Sequence, residues 1–530
     1  MRVTNGLSWA VCVTLLLGLS LVLLSCFSGE LPPSSSTPFS TKRWLAVETQ
    51  AVPVGMSTLP PMPTLVPTIT PTPVPLPEVC LLSEFASDTA FCSGLTHYAI
   101  ELKVDPSLAQ VTGYQEVLYT NMEDRPLKDL YLRLFPNTPN YGGTMTVTNV
   151  FVGGQAVTPI AELQTSALRL PLGSLLQAGQ SVTLTMDFGA GVPTTRAAGH
   201  GLFSYVNGVM ALPDVYPFIP VYDDEGWNVE IAPTHSDDVY ADVASYDVTI
   251  IAPAEFTVIT SGSCSPPRDG TWTCEAAPVR EFALVLGQDY ERANRMADDV
   301  VVNSYYYPGH DVGGLLALDV ADRALTVFSD LFGPYPYTEL DVVETPNYLG
   351  GMEYPGLVVV EDSLYPTGSR VEWLTAHEVA HQWWFGLVGS DQIDEPWLDE
   401  ALTQYSTFLY YEAVYGPERA RGVLNAEFIH THRELVRSGH DLPVGMPAFS
   451  YSSTLYWQVV YDKGALYFHN LREAIGDAAF FEILQVYFQE NRYNIATPED
   501  WLAAVEKVTG DRHLEIYQAW IVGSDAEGEE

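Results

Sequence analysis

Apolar and polar residues alternate along several stretches in the first half of the chain. Residues 98–104, 182–188 and 246–250 each carry an apolar side chain at every second position. A period of two is typical of strands that bury one face and expose the other. Because such stretches follow one another without a long helical pattern, this half is predicted to fold into sandwich-like β-sheets.

The pattern becomes helical from about residue 303. Residues 313–332 and 497–508 repeat apolar side chains at intervals of three and four, which predicts amphipathic helices. A short apolar run at residues 357–360 predicts one buried strand among them. The second half is therefore predicted to be mostly helical.

The second half contains an H-E-x-x-H sequence, formed by His377, Glu378 and His381. On a helix, side chains four residues apart lie on one face, so the two imidazoles can bind one zinc ion. Glu378 lies beside them without being a ligand, and it is predicted to act as the general base on water at the metal. Ser369 or Thr367 is expected to cap the start of this helix.

Glu400 follows His381 after eighteen intervening residues and lies on a second helical pattern, residues 397–409, which extends to Gly416. Two histidines and one carboxylate leave a fourth coordination position open, as in hydrolytic zinc sites. The alternative is that both histidines are core residues and that Glu400 is a solvated charge, since H-E-x-x-H also arises by chance.

The combined pattern resembles the aminopeptidase N-like family of zinc metallopeptidases, which are gluzincins. In that family the distant glutamate lies in a Trp-Leu-Asn-Glu-Gly segment, and residues 397–401 of this chain read Trp-Leu-Asp-Glu-Ala. The resemblance implies one Zn²⁺ ion held by His377, His381 and Glu400, with Glu378 as a catalytic residue.

Residues 350–354 read Gly-Gly-Met-Glu-Tyr and are similar to the family's Gly-Ala-Met-Glu-Asn segment. The resemblance implies that Glu353 binds the free α-amino group of the substrate and that Met352 and Gly351 line the same site. A carboxylate at a fixed distance from zinc would bring only the first peptide bond to the metal. From the residues alone, a Gly-Gly turn with an exposed glutamate is an equal alternative.

Residues 461–464, Tyr-Asp-Lys-Gly, are similar to the family's Tyr-Glu-Lys-Gly segment. The resemblance implies that the hydroxyl of Tyr461 donates a hydrogen bond to the oxyanion of the tetrahedral intermediate, and Tyr456 is a weaker candidate. A phenol is a neutral donor at pH 7 and suits this role. The family's N-terminal domain also lends a glutamine or glutamate to the amine site. We would look for it in residues 212–218, although these do not match that motif.

The resemblance also implies a multi-domain α+β fold. An N-terminal all-β domain, saddle-like or sandwich-like, is followed by a mostly helical catalytic domain like that of thermolysin. Together with the composition of the chain ends, this divides the chain into a signal peptide with a lipobox, a Pro/Ser/Thr-rich linker, the β domain, the zinc peptidase domain and an acidic tail, at residues 1–26, 27–78, 79–295, 296–523 and 524–530.

The first 26 residues have the composition of a secretion signal. Arg2 precedes an apolar stretch at residues 11–24, which is short for a membrane-spanning helix. The Leu-Leu-Ser-Cys that follows resembles a bacterial lipobox, so we expect a lipid on Cys26 that anchors the protein to the membrane. Ordinary cleavage and an uncleaved anchor are the alternatives. The proline-rich linker favours extended backbone and would hold the enzyme away from the membrane.

Four cysteines lie beyond the signal, in two close pairs: Cys80 with Cys92, and Cys264 with Cys274. Two local disulfides agree with an oxidising exterior, and neither pair has the C-x-x-C spacing of a structural zinc site. Free buried thiols are the alternative interpretation.

The net charge is −42, from 66 acidic and 24 basic residues, which argues against nucleic acid or an anionic lipid surface as a partner. The sequence therefore predicts an extracytoplasmic, lipid-anchored, monomeric zinc aminopeptidase that acts on peptides with a free N-terminus. Two alternatives remain: a zinc endopeptidase of the same class, which would not need Glu353, and a peptide-binding lipoprotein without catalytic activity.

Overall fold

The alternating stretches of the first half form strands, as predicted. The computed structural model describes residues 81–90, 94–196 and 201–523. The predicted signal peptide, the linker, the lipid on Cys26, the Cys80–Cys92 pair and the acidic tail lie outside these residues. The strands of the first half are β1 (Thr96–Asp105), β2 (Gln110–Thr120), β3 (Leu127–Arg133), β4 (Thr144–Val152), β5 (Gln155–Ala156), β6 (Ile160–Glu162), β7 (Ala167–Leu176), β8 (Ser181–Gly191), β9 (Ser204–Val206), β10 (Val209–Ala211), β11 (Ala244–Ile251), β12 (Phe256–Thr260), β13 (Ser263–Cys264), β14 (Thr271–Val279) and β15 (Leu284–Gln288).

These strands form three sheets. The largest has eight strands in the order β13-β14-β11-β1-β2-β8-β4-β5, and the two smaller sheets have the orders β12-β15-β10-β9 and β3-β7-β6. β1 and β11 run parallel, with Tyr98 opposite Tyr246, and the two rings stack with their centroids 4.9 Å apart. Every second residue is buried from Tyr98 onward in β1 and from Leu184 onward in β8, so the predicted period of two is confirmed.

A mixed sheet opens the second half of the chain. Its strands are β16 (Glu291–Ala297), β17 (Val300–Tyr306), β18 (Glu339–Thr345), β19 (Gly351–Met352) and β20 (Leu357–Glu361), in the order β16-β17-β18-β20-β19. β20 confirms the predicted buried strand, and β17, β18 and β20 are parallel neighbours. The predicted division between residues 295 and 296 falls within β16, and where the two domains divide stays a prediction.

Helices make up most of the rest of the second half, as predicted. Those of the described residues are α1 (Asp311–Phe332), α2 (Val371–His381), α3 (Glu400–Tyr415), α4 (Pro417–Val423), α5 (His430–Ser438), α6 (Ser453–Tyr456), α7 (Gly464–Ile475), α8 (Asp477–Asn491), α9 (Pro498–Thr509) and α10 (Leu514–Tyr517). α1 and α9 match the two amphipathic segments. Thr497 caps α9 in a reciprocal capping box with Asp500.

A buried arginine joins the β-rich part to the helical part. Arg280 follows β14 and donates to the main-chain oxygens of Phe385 at 2.6 Å, Leu387 at 3.2 Å, Asn494 at 2.5 Å and Ala241 at 2.8 Å. Burial lowers the pKa of Arg280 to about 10, so the guanidinium stays charged at neutral pH. These hydrogen bonds hold the end of β14 against the turn that follows α2.

A disulfide joins Cys264 of β13 to Cys274 of β14, which confirms the second predicted pair. Within the described ranges, no helix has the length and apolarity needed to cross a membrane.

Candidate active site

α2 carries the H-E-x-x-H residues, and its start differs from the prediction. The residue before Val371 is Arg370, whose backbone is left-handed at a φ of 63° and whose side chain does not cap the helix. The proposed caps Ser369 and Thr367 are wrong, because the Thr367 hydroxyl accepts its hydrogen bond from the Ser369 amide instead. After His381 the helix widens into a π-helical turn at Gln382–Leu387, a distortion that is frequent at functional sites.

Three buried side chains from α2 and α3 converge on one point. The Nε2 atoms of His377 and His381 lie 3.1 Å apart, and each lies 3.4 Å from Oε2 of Glu400. Ligands about 2.0–2.1 Å from a tetrahedral zinc ion lie roughly 3.3 Å from one another. The three donor atoms therefore have the separations that one zinc ion requires.

The chemistry of these atoms also fits a cation. Among the described residues, no donor forms a hydrogen bond with Oε2 of Glu400, although the side chain is almost fully buried. Burial lowers the pKa of His377, which favours the neutral imidazole that metals bind. A second group of possible ligands, Glu353 with His381 and Asp399, shares His381 with the first and is not an independent site.

Asp399 fixes the orientation of His381. Its Oδ1 lies 2.6 Å from Nδ1 of His381, and its Oδ2 accepts a hydrogen bond from Gln392 Nε2 at 2.6 Å. Nδ1 of His381 is thereby held as the donor, which leaves Nε2 free to bind a metal. The aspartate that replaces the family's asparagine thus supplies a buried carboxylate partner for a zinc ligand.

We expect Asp399→Asn to weaken zinc binding by about tenfold to a hundredfold, because an amide is a poorer acceptor for the imidazole N–H and makes His381 less basic. Competition with a chromophoric chelator measures the affinity. Asp341→Asn, another buried aspartate that accepts from Asn303, is the matched control and should keep the parent's affinity. Equal zinc affinity in Asp399→Asn and the parent would contradict this role.

Glu378 lies under the strand β19. A Cβ atom added to Gly351 would come within 2.1 Å of Oε1 of Glu378, so the absence of a side chain at Gly351 leaves the room that the carboxylate occupies. Burial raises the pKa of Glu378, and the charge of Glu353 raises it further. The structure therefore holds a proton-accepting carboxylate next to the two imidazoles, with Met352 lining the same cleft.

Glu353 is held in the cleft by a residue that the sequence did not single out. Gln382, directly after His381, donates to the main-chain oxygens of Glu353 at 3.2 Å and Tyr354 at 3.3 Å and accepts from the Gly356 amide at 2.8 Å. The Glu353 side chain is 5% exposed and lines the cleft with Glu378. The alternative of an exposed glutamate after a Gly-Gly turn is therefore wrong.

Tyr461 lies beside the candidate ligands. Its hydroxyl donates to Oε1 of Glu400, and its ring stacks on that of His377 with centroids 5.9 Å apart. It sits in a second π-helical segment, Trp457–Lys463. Tyr456, the weaker candidate, is fully buried, and its hydroxyl forms no hydrogen bond with the described residues.

The β-rich part contributes acidic residues to the opposite wall. Asp237 and Glu281 line the cleft together with Glu353, and neither lies in a motif that predicts this position. Residues 212–218, where we expected the contribution, lie behind this wall: Asp214 accepts a hydrogen bond from Tyr141 at 2.8 Å and faces Glu281 without lining the cleft itself. None of residues 212–218 lines the cleft, so the expected location is wrong.

The cleft between the two parts has a volume of about 270 Å³ and is strongly acidic. Burial raises the pKa of Glu353 to about 7, against the lowering effect of His381. For Asp237, burial raises the pKa and the charges of Glu353 and Glu400 add to this. A cleft of this kind favours cationic ligands.

Buried acids should also make stability depend on pH. Burial raises the pKa of Asp238 to about 7 and that of Glu344 to about 7, whereas unfolded carboxyls titrate near about 4. Between these values the folded chain keeps protons that the unfolded chain has released, so the free energy of unfolding falls as pH rises toward 7 and stays low above it.

We therefore expect the metal-free protein to have a Tm roughly 5 °C higher at pH 5.5 than at pH 8, measured by calorimetry in a chelating buffer. Asp238→Asn should reduce the difference, because the amide resembles the protonated acid. The exposed Asp269→Asn should leave it unchanged. A Tm that rises with pH over this interval would show that other groups dominate.

Taken together, these elements define a class of protein. A mostly helical domain presents two histidines from one helix and a glutamate from the next, with a free carboxylate between the histidines. This is the arrangement of a gluzincin metallopeptidase.

Residues 316–520 match the Peptidase family M1 domain. The resemblance to the aminopeptidase N-like zinc metallopeptidases, inferred from the motifs, is thereby confirmed. The matched residues include His377, Glu378 and His381 of the H-E-x-x-H sequence, the candidate third ligand Glu400, and Tyr461.

Curated relatives match slightly less than half of the chain. Aminopeptidase M1-B of Oryza sativa subsp. japonica is 29% identical over 252 residues, which cover 45% of this chain and 29% of that protein. Probable aminopeptidase 2 of Sulfurisphaera tokodaii is 28% identical over 254 residues, which cover 45% of this chain and 32% of that protein. The chain thus spans about a third of the length of these relatives.

Solved structures match both halves. The crystal structure of an M1 zinc metallopeptidase from Deinococcus radiodurans superposes with a TM-score of 0.62 at 22% identity and covers 81% of this chain and 93% of that one. A mutant of that enzyme bound to a Tyr-Ser-Ala substrate superposes with a TM-score of 0.62 at 21% identity, again over 81% and 93%. The predicted fold, a β-rich domain followed by a mostly helical one, is confirmed.

Proposed function

We propose that this chain is a zinc-dependent aminopeptidase that hydrolyses the first peptide bond of peptides with a free N-terminus. The observation that carries the proposal is the common cleft of three elements: the donor atoms of His377, His381 and Glu400, the free carboxylate of Glu378, and the buried carboxylate of Glu353. One zinc ion is proposed, because the other candidate ligand group within the described ranges shares His381.

The chain's own residues would divide the chemistry among them. A zinc ion held by the three ligands would supply Lewis acidity toward the peptide carbonyl and the attacking water. Glu378 accepts the proton of that water and then gives it to the nitrogen of the leaving amine. Its buried position and the charge of Glu353 raise its pKa, which makes it a stronger base than an exposed glutamate.

Glu353 would determine which peptide bond is cut, and Tyr461 would stabilise the negative charge that develops on an oxygen during the reaction. The Glu353 carboxylate pairs with the substrate's α-ammonium group, so the first peptide bond is the one that reaches Glu378. The Tyr461 hydroxyl, which donates to Glu400 in the free protein, turns to the oxygen on which negative charge develops. Met352 and Gly351 border the same space. These roles follow the family resemblance and stay proposals.

An endopeptidase of the same class is the second candidate. It would use the same ligands and Glu378 but would need no carboxylate at the amine position. The burial of Glu353, and its anchoring by Gln382, favour the exopeptidase. A binding protein without activity is disfavoured by the intact set of three ligands and a base.

We also propose that the protein works as a monomer outside the cytoplasm, tethered to the membrane by a lipid on Cys26. The lipobox-like sequence and the proline-rich linker support the tether. The Cys264–Cys274 disulfide supports an oxidising compartment. Metabolic labelling with a palmitate analogue, compared between the full chain and Cys26→Ala, tests the anchor.

The activity is tested with a panel of aminoacyl 4-nitroanilides. We expect release of 4-nitroaniline, loss of at least about 90% of it after dialysis against a chelator, and recovery on adding about one equivalent of zinc. The N-acetylated form of each substrate is the matched control and should not be cleaved. Cleavage of internal bonds in N-acetylated peptides would favour the endopeptidase, and inactivity toward both substrate types would refute a peptidase.

A further inference from the structure

One imidazole nitrogen of the candidate zinc site lacks a partner of standard geometry. Nδ1 of His377 is buried and forms no hydrogen bond of normal length and angle with the described residues. Nε2 of the same ring lies 3.4 Å from Oε2 of Glu400, on the side where a zinc ion would bind. In a neutral imidazole whose Nε2 binds a metal, Nδ1 carries the proton and is a donor. His377 therefore needs an acceptor, as His381 has in Asp399.

A buried amide oxygen at the cleft is the complementary atom. Gln404 lies one turn after Glu400 on α3, is 6% exposed and lines the cleft together with His377. Its Oε1 is buried and likewise forms no hydrogen bond of normal geometry with the described residues. Burial lowers the pKa of His377, and contact with the Gln404 amide raises it in part. A buried donor and a buried acceptor, each without another partner, thus belong to neighbouring side chains.

Asp462 fixes which end of the amide faces His377. Nε2 of Gln404 donates to Oδ1 of Asp462 at 3.0 Å. Burial raises the pKa of Asp462 to about 6, so this group is a carboxylate at neutral pH, and a carboxylate only accepts hydrogen bonds. The NH2 end of the amide must therefore face Asp462, which leaves the oxygen end for His377.

We propose that Gln404 is a positioning residue for the zinc ligand His377, whose Nδ1–H it accepts through Oε1. The inference rests on the proposed function, because it concerns the same zinc ion. An acceptor on Nδ1 fixes the tautomer and the orientation of the ring and makes Nε2 a better ligand. The other end of the amide binds Asp462, which directly follows Tyr461, so one side chain links a metal ligand to the segment that carries the proposed oxyanion donor.

Zinc affinity tests this role, because its measurement needs no turnover. We expect Gln404→Leu, which has a similar volume but no acceptor, to bind zinc about tenfold to a hundredfold more weakly than the parent in competition with a chromophoric chelator. The visible spectrum of the Co²⁺-loaded protein should change as well, because the His377 ring is no longer held in one orientation. Gln485→Leu, a partly buried glutamine of α8 that donates to the main-chain oxygen of Leu331, is the matched control and should keep the parent's affinity and spectrum.

A double variant separates positioning from packing. In Gln404→Glu/Asp462→Asn, the donor and the acceptor between positions 404 and 462 are exchanged, and a carboxylate oxygen is available to His377. We expect the zinc affinity of this variant to lie within about threefold of the parent's or to be tighter. A loss of affinity as large as that in Gln404→Leu would show that position 404 contributes only packing, and the proposal would be overturned.

The remaining outcomes separate this role from the proposed function. Equal zinc affinity in Gln404→Leu and the parent would overturn the role of Gln404 and leave the zinc site intact. A parent that binds no zinc would refute the proposed function and this role together. Thermal unfolding of the metal-free variants shows which of them are folded. If Gln404→Leu is not, Gln404→Met takes its place, because the unbranched methionine side chain has nearly the shape of glutamine.

Discussion

Glu378→Gln is expected to lower kcat/KM by at least about a thousandfold on every aminoacyl substrate while the protein keeps its zinc. The amide has the size of the carboxylate but cannot accept a proton from water. The three ligands, His377, His381 and Glu400, keep their positions because helix packing and Asp399 hold them. Steady-state kinetics and metal analysis of the same preparation measure both quantities.

The matched control lies on the same helix. Glu372 of α2 accepts hydrogen bonds from Tyr410 and Tyr415 and does not line the cleft. Glu372→Gln should therefore keep both activity and zinc. Full activity in Glu378→Gln would refute the proposed base. Loss of zinc in that variant would show that the side chain maintains the site in addition to moving protons.

Local periodicity was sufficient to predict many of the elements. The alternation at residues 98–104 and the helical spacing at residues 313–332 correspond to β1 and α1, because each pattern is set within one element by which face it buries. β18 was not predicted. Six of its seven residues, in Glu339–Thr345, are buried, and a strand buried on both faces has no alternation to detect.

The start of α2 shows where local chemistry is insufficient. Ser369 and Thr367 are good capping residues, yet the helix begins after Arg370. The guanidinium of that residue lies over the ring of Trp373, 5.6 Å from its centroid, and its backbone is left-handed. Side-chain packing thus placed the start where the sequence of the turn alone did not.

The candidate site likewise contains residues that could be predicted from the sequence and residues that could not. The metal ligands and the base could be predicted because two helices present them at fixed spacing. Three other residues could not be predicted, since their places in the site depend on residues far away in the sequence: Gln382, Asp237 and Glu281. Gln382 is nevertheless adjacent to the H-E-x-x-H residues, and a polar side chain at the end of a zinc-binding helix is a signal that could have been followed. Glu281 has no comparable signal, because folding alone brings it to Glu353.

The second large effect is expected from Glu353→Gln. Removing one charge from a buried ion pair costs about 2–5 kcal/mol, so kcat/KM for free aminoacyl substrates should fall by at least about a hundredfold. Gln382 holds the main chain of Glu353 and not its carboxylate, so the segment should stay in place. Kinetics on leucyl 4-nitroanilide and zinc analysis measure the effect.

Glu361→Gln, at the end of the neighbouring strand β20, is the control and should behave as the parent does. Comparing free with N-acetylated substrates in Glu353→Gln also separates the exopeptidase from the endopeptidase. An exopeptidase discriminates against N-acetylated peptides through the ion pair with Glu353, so the ratio of free to acetylated turnover should fall toward one in Glu353→Gln. An endopeptidase has no such pair, and the variant would keep the parent's rates on both substrate types. Unchanged rates would therefore remove the basis for assigning aminopeptidase activity to this cleft, while the role of Glu378 would stand on its own variant.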